Sequence, residues 1–231
     1  MSITIDPIFD KKYECLLCKK SFTSKKVRSR FVKITHFDTD FSPNYESDEA
    51  NPLFYHIQIC PACGFSFSDD FSKYFLPGTI ELIQKEVTNR WVSRDFGSKR
   101  TIQQALQTYK LAIYCGTLKK EKHIVQAGMY MRIAWLYRSK GSIEEEQRFL
   151  KLSIEEYEAS YIQDDFRGTQ VSVVKLMYLI GELSIRINDV KKAVKYFSKV
   201  IEKQKQTVEP KIIEMARERW HEIREKRAVD S

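Results

Sequence analysis

The residues of this chain best suited to chemistry are four cysteines, carried on two copies of one pattern. Cys15-Leu-Leu-Cys-Lys-Lys-Ser-Phe22 and Cys60-Pro-Ala-Cys-Gly-Phe-Ser-Phe67 both read C-x-x-C-x-x-S-F, forty-five positions apart. Two such turns supply four thiolates, the donor set of a tetrahedral zinc ion. One zinc site from Cys15, Cys18, Cys60 and Cys63 is therefore expected. A four-thiolate site leaves no open position for a water, which makes the metal structural rather than catalytic. The residue after the second pair, Gly64, supplies the positive φ that such a turn needs, and Phe22 and Phe67 fall at equivalent places as an apolar shell. A redox C-x-x-C expects a single pair near a βαβ unit; with two pairs and no such unit, a thiol-based redox sensor stays a third reading. Cys115, alone in the apolar run Leu111-Ala-Ile-Tyr-Cys115, reads as a small buried hydrophobe.

His36 and His56 lie near the pairs without being needed as ligands. Asp38, Asp40, Asp69 and Asp70 could bind a hard cation or work as acid and base, but as Asx caps and solvated loop charge they need no further partner.

The elements that must position these groups change character along the chain. Residues 1–75 hold both cysteine pairs, four of the six prolines and short alternating runs. Leu53 to Ile59 alternates like a strand leading into Cys60, and Val27 to Phe37 is a second strand candidate. The gap of 41 residues between the pairs exceeds the roughly 15–20 of a compact ribbon, so the intervening segment must carry its own structure.

From Pro77 the period becomes helical, and seven helices are expected near 79–95, 100–115, 120–140, 143–161, 170–187, 190–206 and 210–227. Thr101 with Gln104 and Ser142 with Glu145 fit capping boxes; Asp189 suits a cap and Pro210 a first helical turn. Ile124 to Tyr137 and Val171 to Ile187 are apolar on nearly every side, as in helices packed from both faces. Each is followed by a tight turn and an amphipathic partner. Aligning Gly141 with Asn188 also aligns Ile133 with Ile180, Ala134 with Gly181 and Leu150 with Phe197. This is a tetratricopeptide-like pattern at a period of 47, with the excess assigned to a longer loop at 158–170 and a half-repeat at Ala105, Tyr109 and Ala112. The expected fold is α+β: a small zinc-ribbon-like β domain at 1–75 and a tetratricopeptide-like all-helical domain at 76–231.

Composition excludes several classes. Hydrophobic residues make up 42% of the chain, enough for a real core, and eight Gly and six Pro argue against a fibrous or low-complexity chain. The window 171–187 is interrupted by Lys175, Glu182 and Arg186, so no membrane span is expected. The opening residues lack the charged and apolar regions of a signal peptide, which predicts a cytoplasmic protein. The net charge is +8. Lys19 to Lys33 carries seven basic residues and no acid, while Asp38 to Glu49 carries five acids and no base.

At Asp38-Thr-Asp-Phe-Ser-Pro43, Asn51-Pro-Leu-Phe-Tyr55 and Cys60-Pro-Ala-Cys-Gly-Phe65 the chain resembles a bacterial family known as domain of unknown function 2225. The likeness extends to Ala134-Trp-Leu-Tyr137 and Tyr178-Leu-Ile-Gly-Glu182. It implies a cytoplasmic protein of zinc ribbon plus tetratricopeptide-like helices, and no activity.

The functional expectation is a non-catalytic, zinc-binding protein-interaction adaptor and not an enzyme, since no G-x-S-x-G, phosphate-loop, H-E-x-x-H or G-x-G-x-x-G motif is present. Its protein partner would bind at Met131, Trp135, Arg138, Tyr178 and Glu182, on the helices that line a repeat groove; the competing reading makes Trp135 and Tyr178 core. The alternative is nucleic-acid binding through Lys25, Lys26, Arg28 and Arg30, with Phe22 or Phe31 for stacking. A small-molecule substrate and a membrane are not expected as partners.

Overall fold

The computed structural model describes residues 5–205 and 207–229, with side chains through residue 226. Antiparallel strand hairpins come first and helices follow, an α+β architecture. Contacts divide the chain into two compact units, residues 1–37 with 43–121 and residues 38–42 with 122–231. The expected boundary at 75/76 is thus replaced by one at 121/122, because the first two helices pack on the strands. The five residues 38–42 belong with the later helices.

In the first unit, β1 (Ile8–Glu14) pairs with β2 (Ser21–Val27), with Tyr13 opposite Phe22. The hairpin of β3 (Ile34–Phe37) and β4 (Pro43–Tyr45) follows, then the short hairpin of β5 (Gln58–Ile59) and β6 (Ser66–Phe67). The strand expected over 27–37 is broken at Ser29–Phe31 by a 3-10 turn. The strand expected over 53–59 survives only at β5. Pro52–Tyr55 is a 3-10 turn, because the Asn51 side chain caps the amide of Leu53 at 3.0 Å and Pro52 opens the turn. Burial on both sides, at Phe54 and Tyr55 alike, replaces the one-sided alternation.

Helices α1 (Thr79–Glu86) and α2 (Ile102–Lys119) complete the unit. α1 stops well short of 95. The Thr101–Gln104 capping box forms in both directions. The face of α2 read as a half-repeat serves the strand unit instead, since Tyr109 donates its hydroxyl to the Leu53 carbonyl at 3.0 Å.

Arg100 organises this region. Its side chain, in a residue only 6% exposed, donates to the carbonyls of Phe96 (2.8 Å), Phe54 (3.0 Å) and Ile57 (2.7 Å) and to Ser24 Oγ (3.3 Å). Desolvation lowers this guanidinium to about 10, still charged near neutrality. The planar fork reaches carbonyls on separate segments at once, which an ammonium cannot do.

The second unit is a run of antiparallel helices: α3 (His123–Ser139), α4 (Ile143–Gln163), α5 (Val173–Arg186), α6 (Val190–Glu202) and α7 (Pro210–Val229). α3 pairs with α4, α5 with α6, and α7 closes against α6. Gly141 and Asn188, which align at a period of 47, both turn with positive φ, at 70° and 63°. Ile133, Ile180, Leu150 and Phe197 are all fully buried. Gly181 lies where a Cβ would come within 2.9 Å of the Phe197 ring, which is why that position is smaller than Ala134. The excess at 158–170 is divided between helix and loop: α4 continues through Gln163, and residues 164–170 form the turn that leads to α5. Asp189 and Ser172 cap α6 and α5, but Ser142 makes no capping bond; its amide bonds back to Tyr137 after the positive-φ turn at Gly141.

Replacing Arg100 by Met keeps its length and strips three carbonyls of their donor. Each unmet buried group costs about 1–3 kcal/mol, so Arg100→Met is expected to lose roughly 3 kcal/mol or more in urea unfolding. Arg100→Lys should recover only part of that loss.

Candidate functional site

The two cysteine motifs fold as copies. Cys15 and Cys18 lie in the turn joining β1 to β2, and Cys60 and Cys63 in the turn joining β5 to β6. In the first, the Cys15 amide donates to Lys20 O and the Lys19 amide to Cys15 O. In the second, the Cys60 amide donates to Phe65 O and the Gly64 amide to Cys60 O. Amides of Leu17 and Cys18 face the Cys15 sulfur, as those of Ala62 and Cys63 face the Cys60 sulfur. The fifth residue of each copy has positive φ, 60° at Lys19 and 74° at Gly64. Phe22 and Phe67 meet edge to face at 6.4 Å, as their equivalence implies.

The four sulfurs lie within 4.8 Å of one another, with Cys15 to Cys63 and Cys18 to Cys60 each at 3.6 Å. A disulfide needs about 2.05 Å. Metal–sulfur bonds of about 2.3 Å in a tetrahedron put the sulfurs roughly 3.8 Å apart. All four thiols are free, and their spacing is that of ligands around one ion. Crowding divides their acidity: hydrogen bonds from Cys15 and Cys63 lower the Cys60 thiol, while the same contacts raise Cys15 and Cys63. Four thiolates this close need a cation between them to ionise together. His36 is exposed on β3 and His56 stacks on Tyr109 at 5.9 Å, so neither joins the cluster.

Trp91, which carried no signal in the sequence, covers the second turn. Its indole donates to Pro61 O at 2.9 Å, and a Cβ at Gly64 would come within 2.4 Å of its ring. Cys115 is 1% exposed and accepts the Ser66 amide at 3.4 Å; desolvation raises its thiol to about 11.

The basic segment is partly committed. Lys25 pairs with Asp10 at 2.9 Å and Lys33 with Glu46 at 3.1 Å. Arg28 lies 4.7 Å over the Phe9 ring and Arg30 4.9 Å over Phe31. Phe22 stacks on Tyr13 at 5.9 Å, which removes it as a stacking platform. On the later helices, Lys199 of α6 lies over the rings of Tyr161 and Tyr196, and Glu222 of α7 pairs with Arg219.

The expected partner groove is filled by the chain itself. Asp38-Thr-Asp-Phe-Ser42 forms a turn closed by its own bonds: the Asp38 amide to Ser42 O, the Phe41 amide to Asp38 O, and the Ser42 amide to Asp40 Oδ1. Its side chains face α3 and α5. Arg138 Nη1 and Nη2 reach Asp38 at 3.0 Å and Asp40 at 2.6 Å, while its Nε holds Glu146 at 2.7 Å. Arg186 meets Asp38 at 2.9 Å and Asp40 at 3.5 Å. Trp135 Nε1 donates to Asp40 at 3.1 Å, and the Tyr178 hydroxyl to Thr39 O at 2.9 Å. Thr39 Oγ1 accepts from Arg186 and donates to Glu182, which Arg219 also holds at 2.8 Å. The Phe41 ring lies 5.6 Å from that of Tyr178, with the Lys175 ammonium 4.9 Å above it.

Four of the five expected partner residues, Trp135, Arg138, Tyr178 and Glu182, thus hold residues 38–42. Met131 is buried and accepts from the Tyr157 hydroxyl. The apolar helices tolerate these charges because each is met within the cleft. Asp40 and Glu182 are both 0% exposed, and a buried carboxylate persists only with close partners. The sequence signal for this cleft was the Glu182–Arg186 pair inside an apolar helix; Arg186 itself was read only as an interruption.

A chain of paired cysteine turns and tandem helical hairpins defines an α+β protein with a candidate metal centre. Its family model matches over residues 8–223, and the chain belongs to that family, described as "Uncharacterized protein conserved in bacteria (DUF2225)". No curated protein and no solved structure matches the chain. No helix among the described residues is long and apolar enough to cross a membrane.

Breaking a buried pair from one side costs about 3–5 kcal/mol. Because Arg186 remains beside Asp40, Arg138→Ala is expected to sit at the lower end, near 3 kcal/mol, and Trp135→Phe to lose about 1 kcal/mol by removing one donor; chemical denaturation measures both. Burial alone would raise the Asp38 carboxyl, but the Thr39 amide, Arg186 and Arg138 hold it below its ordinary value. Its contribution is therefore present above the unfolded carboxylate pKa of about 3.9 and is lost as pH falls through the folded value. Asp38→Asn should flatten the acid limb of the stability curve.

Proposed function

We propose that this chain is a zinc-stabilised, non-enzymatic protein-interaction adaptor. The observation that carries the metal assignment is the spacing of the four sulfurs. An all-thiolate tetrahedral set suits zinc among the common cellular cations, and it fits a reducing compartment such as the cytoplasm. Closed coordination gives the metal a structural role: Cys15, Cys18, Cys60 and Cys63 would tie the β1–β2 turn to the β5–β6 turn.

The interaction reading rests on the helical unit. Two hairpins with aligned left-handed turns and a tight Gly181 contact form a tetratricopeptide-like pair, and such pairs present a recognition cleft. The acidic turn of residues 38–42 that the chain itself places in this cleft supports that reading. The non-catalytic reading rests on the same feature, since the carboxylates of the cleft are engaged by arginines instead of being available to a substrate.

A second reading is favoured by one surface of the first unit. Phe9, Lys11, Lys26, Arg28 and Arg30 line a shallow concavity and combine cations with a ring, as a single-strand nucleic-acid surface does. Lys25 lies outside this concavity and pairs with Asp10.

About one zinc per chain is expected by elemental analysis after purification. Chelation should change the emission of Trp91 through its contact with the second turn; a protein without stoichiometric metal would overturn the zinc assignment. Gly64→Ala should weaken metal retention and cost more stability than Gly141→Ala. Both positions pay for positive φ, but nothing lies within 4 Å of an added Cβ at Gly141. Partner capture that survives nuclease supports the adaptor, whereas capture lost to nuclease and falling steeply with log salt supports the second reading.

A further inference from the structure

We infer that the cleft between α3 and α5 is a recognition site for an acidic turn presented by another protein. Its ligand is a segment with two carboxylates one residue apart followed by an aromatic ring, and residues 38–42 occupy the site as a built-in substitute. This rests on the adaptor reading and names the class of partner.

The receptor side is specific. Arg138 and Arg186 converge on both carboxylates, Trp135 Nε1 adds a neutral donor to the inner one, and Tyr178 reads the backbone between them. Lys175 and Tyr178 bracket the ring. Without an acidic turn, Arg138 would keep only Glu146 and Arg186 only Glu182, and the donors of Trp135 and Tyr178 would lose their acceptors. Buried donors and cations left in that state are costly, so the cleft requires an occupant of this chemistry.

The occupant present is ligand-like. Its shape is closed by its own backbone and Asx bonds, and its side chains supply the contacts to the helices. Its support is slight: every residue of β3 is exposed, Phe37 is 62% exposed, and the pairing slips between Ile34 and His36. An isolated two-stranded hairpin is marginal. Phe41 also holds φ at 63°, a costly conformation for an aromatic residue. Retention of the turn therefore depends on the cleft, and a competing turn that avoids the strain can replace it. Tethering gives the resident turn an effective concentration on the order of millimolar, which sets the competition a partner must overcome.

The test uses the full chain with Asp38→Asn and Asp40→Asn, and a fluorescent peptide of the sequence of residues 36–45. The peptide is expected to bind the substituted chain at least about tenfold tighter than the wild type, in keeping with release of a tethered competitor. Binding should disappear when the peptide's own aspartates are replaced by asparagine, or when Arg138→Ala and Arg186→Ala are added to the chain. Equal binding of the acidic and amide peptides, or no binding to a substituted chain that keeps its helical circular dichroism and cooperative unfolding, overturns the inference. If the substituted chain does not fold, hydrogen exchange on the wild type decides. Faster exchange at Thr39, Phe41 and Ser42 under millimolar peptide supports exchange of occupants, and unchanged exchange overturns it. Dimerisation of the wild type that the peptide reverses would assign the cleft to a second copy of this chain and overturn the partner class. Zinc stoichiometry is independent of every one of these outcomes, and nuclease-resistant capture that survives Arg138→Ala with Arg186→Ala would leave the adaptor standing on another surface.

Discussion

A charge taken out of water must be met at contact distance by opposite charge or by several hydrogen bonds, and both units are arranged around that requirement. In the second, Asp40 is wholly buried between two guanidiniums and an indole, and α3 and α5 are placed so that all three reach it. In the first, Arg100 is nearly as buried and meets carbonyls from segments far apart in the chain. The cysteine cluster extends the same rule, since four crowded thiols become four thiolates only around a cation. Packing of apolar side chains supplies most of the driving force for folding, but these groups determine which segments must adjoin one another.

The family motifs acquire physical meaning in this light. Asp38-x-Asp-Phe is the turn whose carboxylates satisfy Arg138 and Arg186. Asn51-Pro-Leu-Phe-Tyr is a capped 3-10 turn whose carbonyls satisfy Arg100 and Tyr109. Each motif offers acceptors to donors elsewhere in its unit. The residues expected to face a partner, Trp135, Arg138, Tyr178 and Glu182, were singled out for their places on the helices, and those places do form a cleft. What was not legible was that a segment some hundred positions earlier completes it. Helical spacing reports which side chains share a face, and says nothing of which distant loop reaches that face.

Repetition was the most readable feature. The two C-x-x-C-x-x-S-F segments have the same hydrogen-bond pattern, the same left-handed fifth residue and facing phenylalanines. In the helices, the aligned Gly141 and Asn188 both turn with positive φ, and the aligned Ile133, Ile180, Leu150 and Phe197 are all buried. Local rules transferred in most places because they concern near neighbours: the Thr101 box, the Asp189 cap and Pro210 stand where spacing placed them, whereas the Ser142 box gives way to the turn at Gly141. Where a rule depended on more than neighbours it failed. Leu53 to Ile59 alternates like a strand, yet burial on both faces and the Asn51 cap bend its first half into a 3-10 turn. Ala105, Tyr109 and Ala112 have repeat spacing, yet they pack against the strand unit.

The sequence by itself determined the α+β class, the helices and most of their boundaries, the paired turns and the four sulfur donors, because periodicity, capping and thiol spacing are local physical signals. Tertiary structure alone decided that the first unit extends to residue 121, that Trp91 covers the second cysteine turn, and that residues 38–42 fill the cleft between α3 and α5. These outcomes come from contacts between segments tens of positions apart, where buried donors and charges select their partners by distance and geometry after the helices and turns have formed.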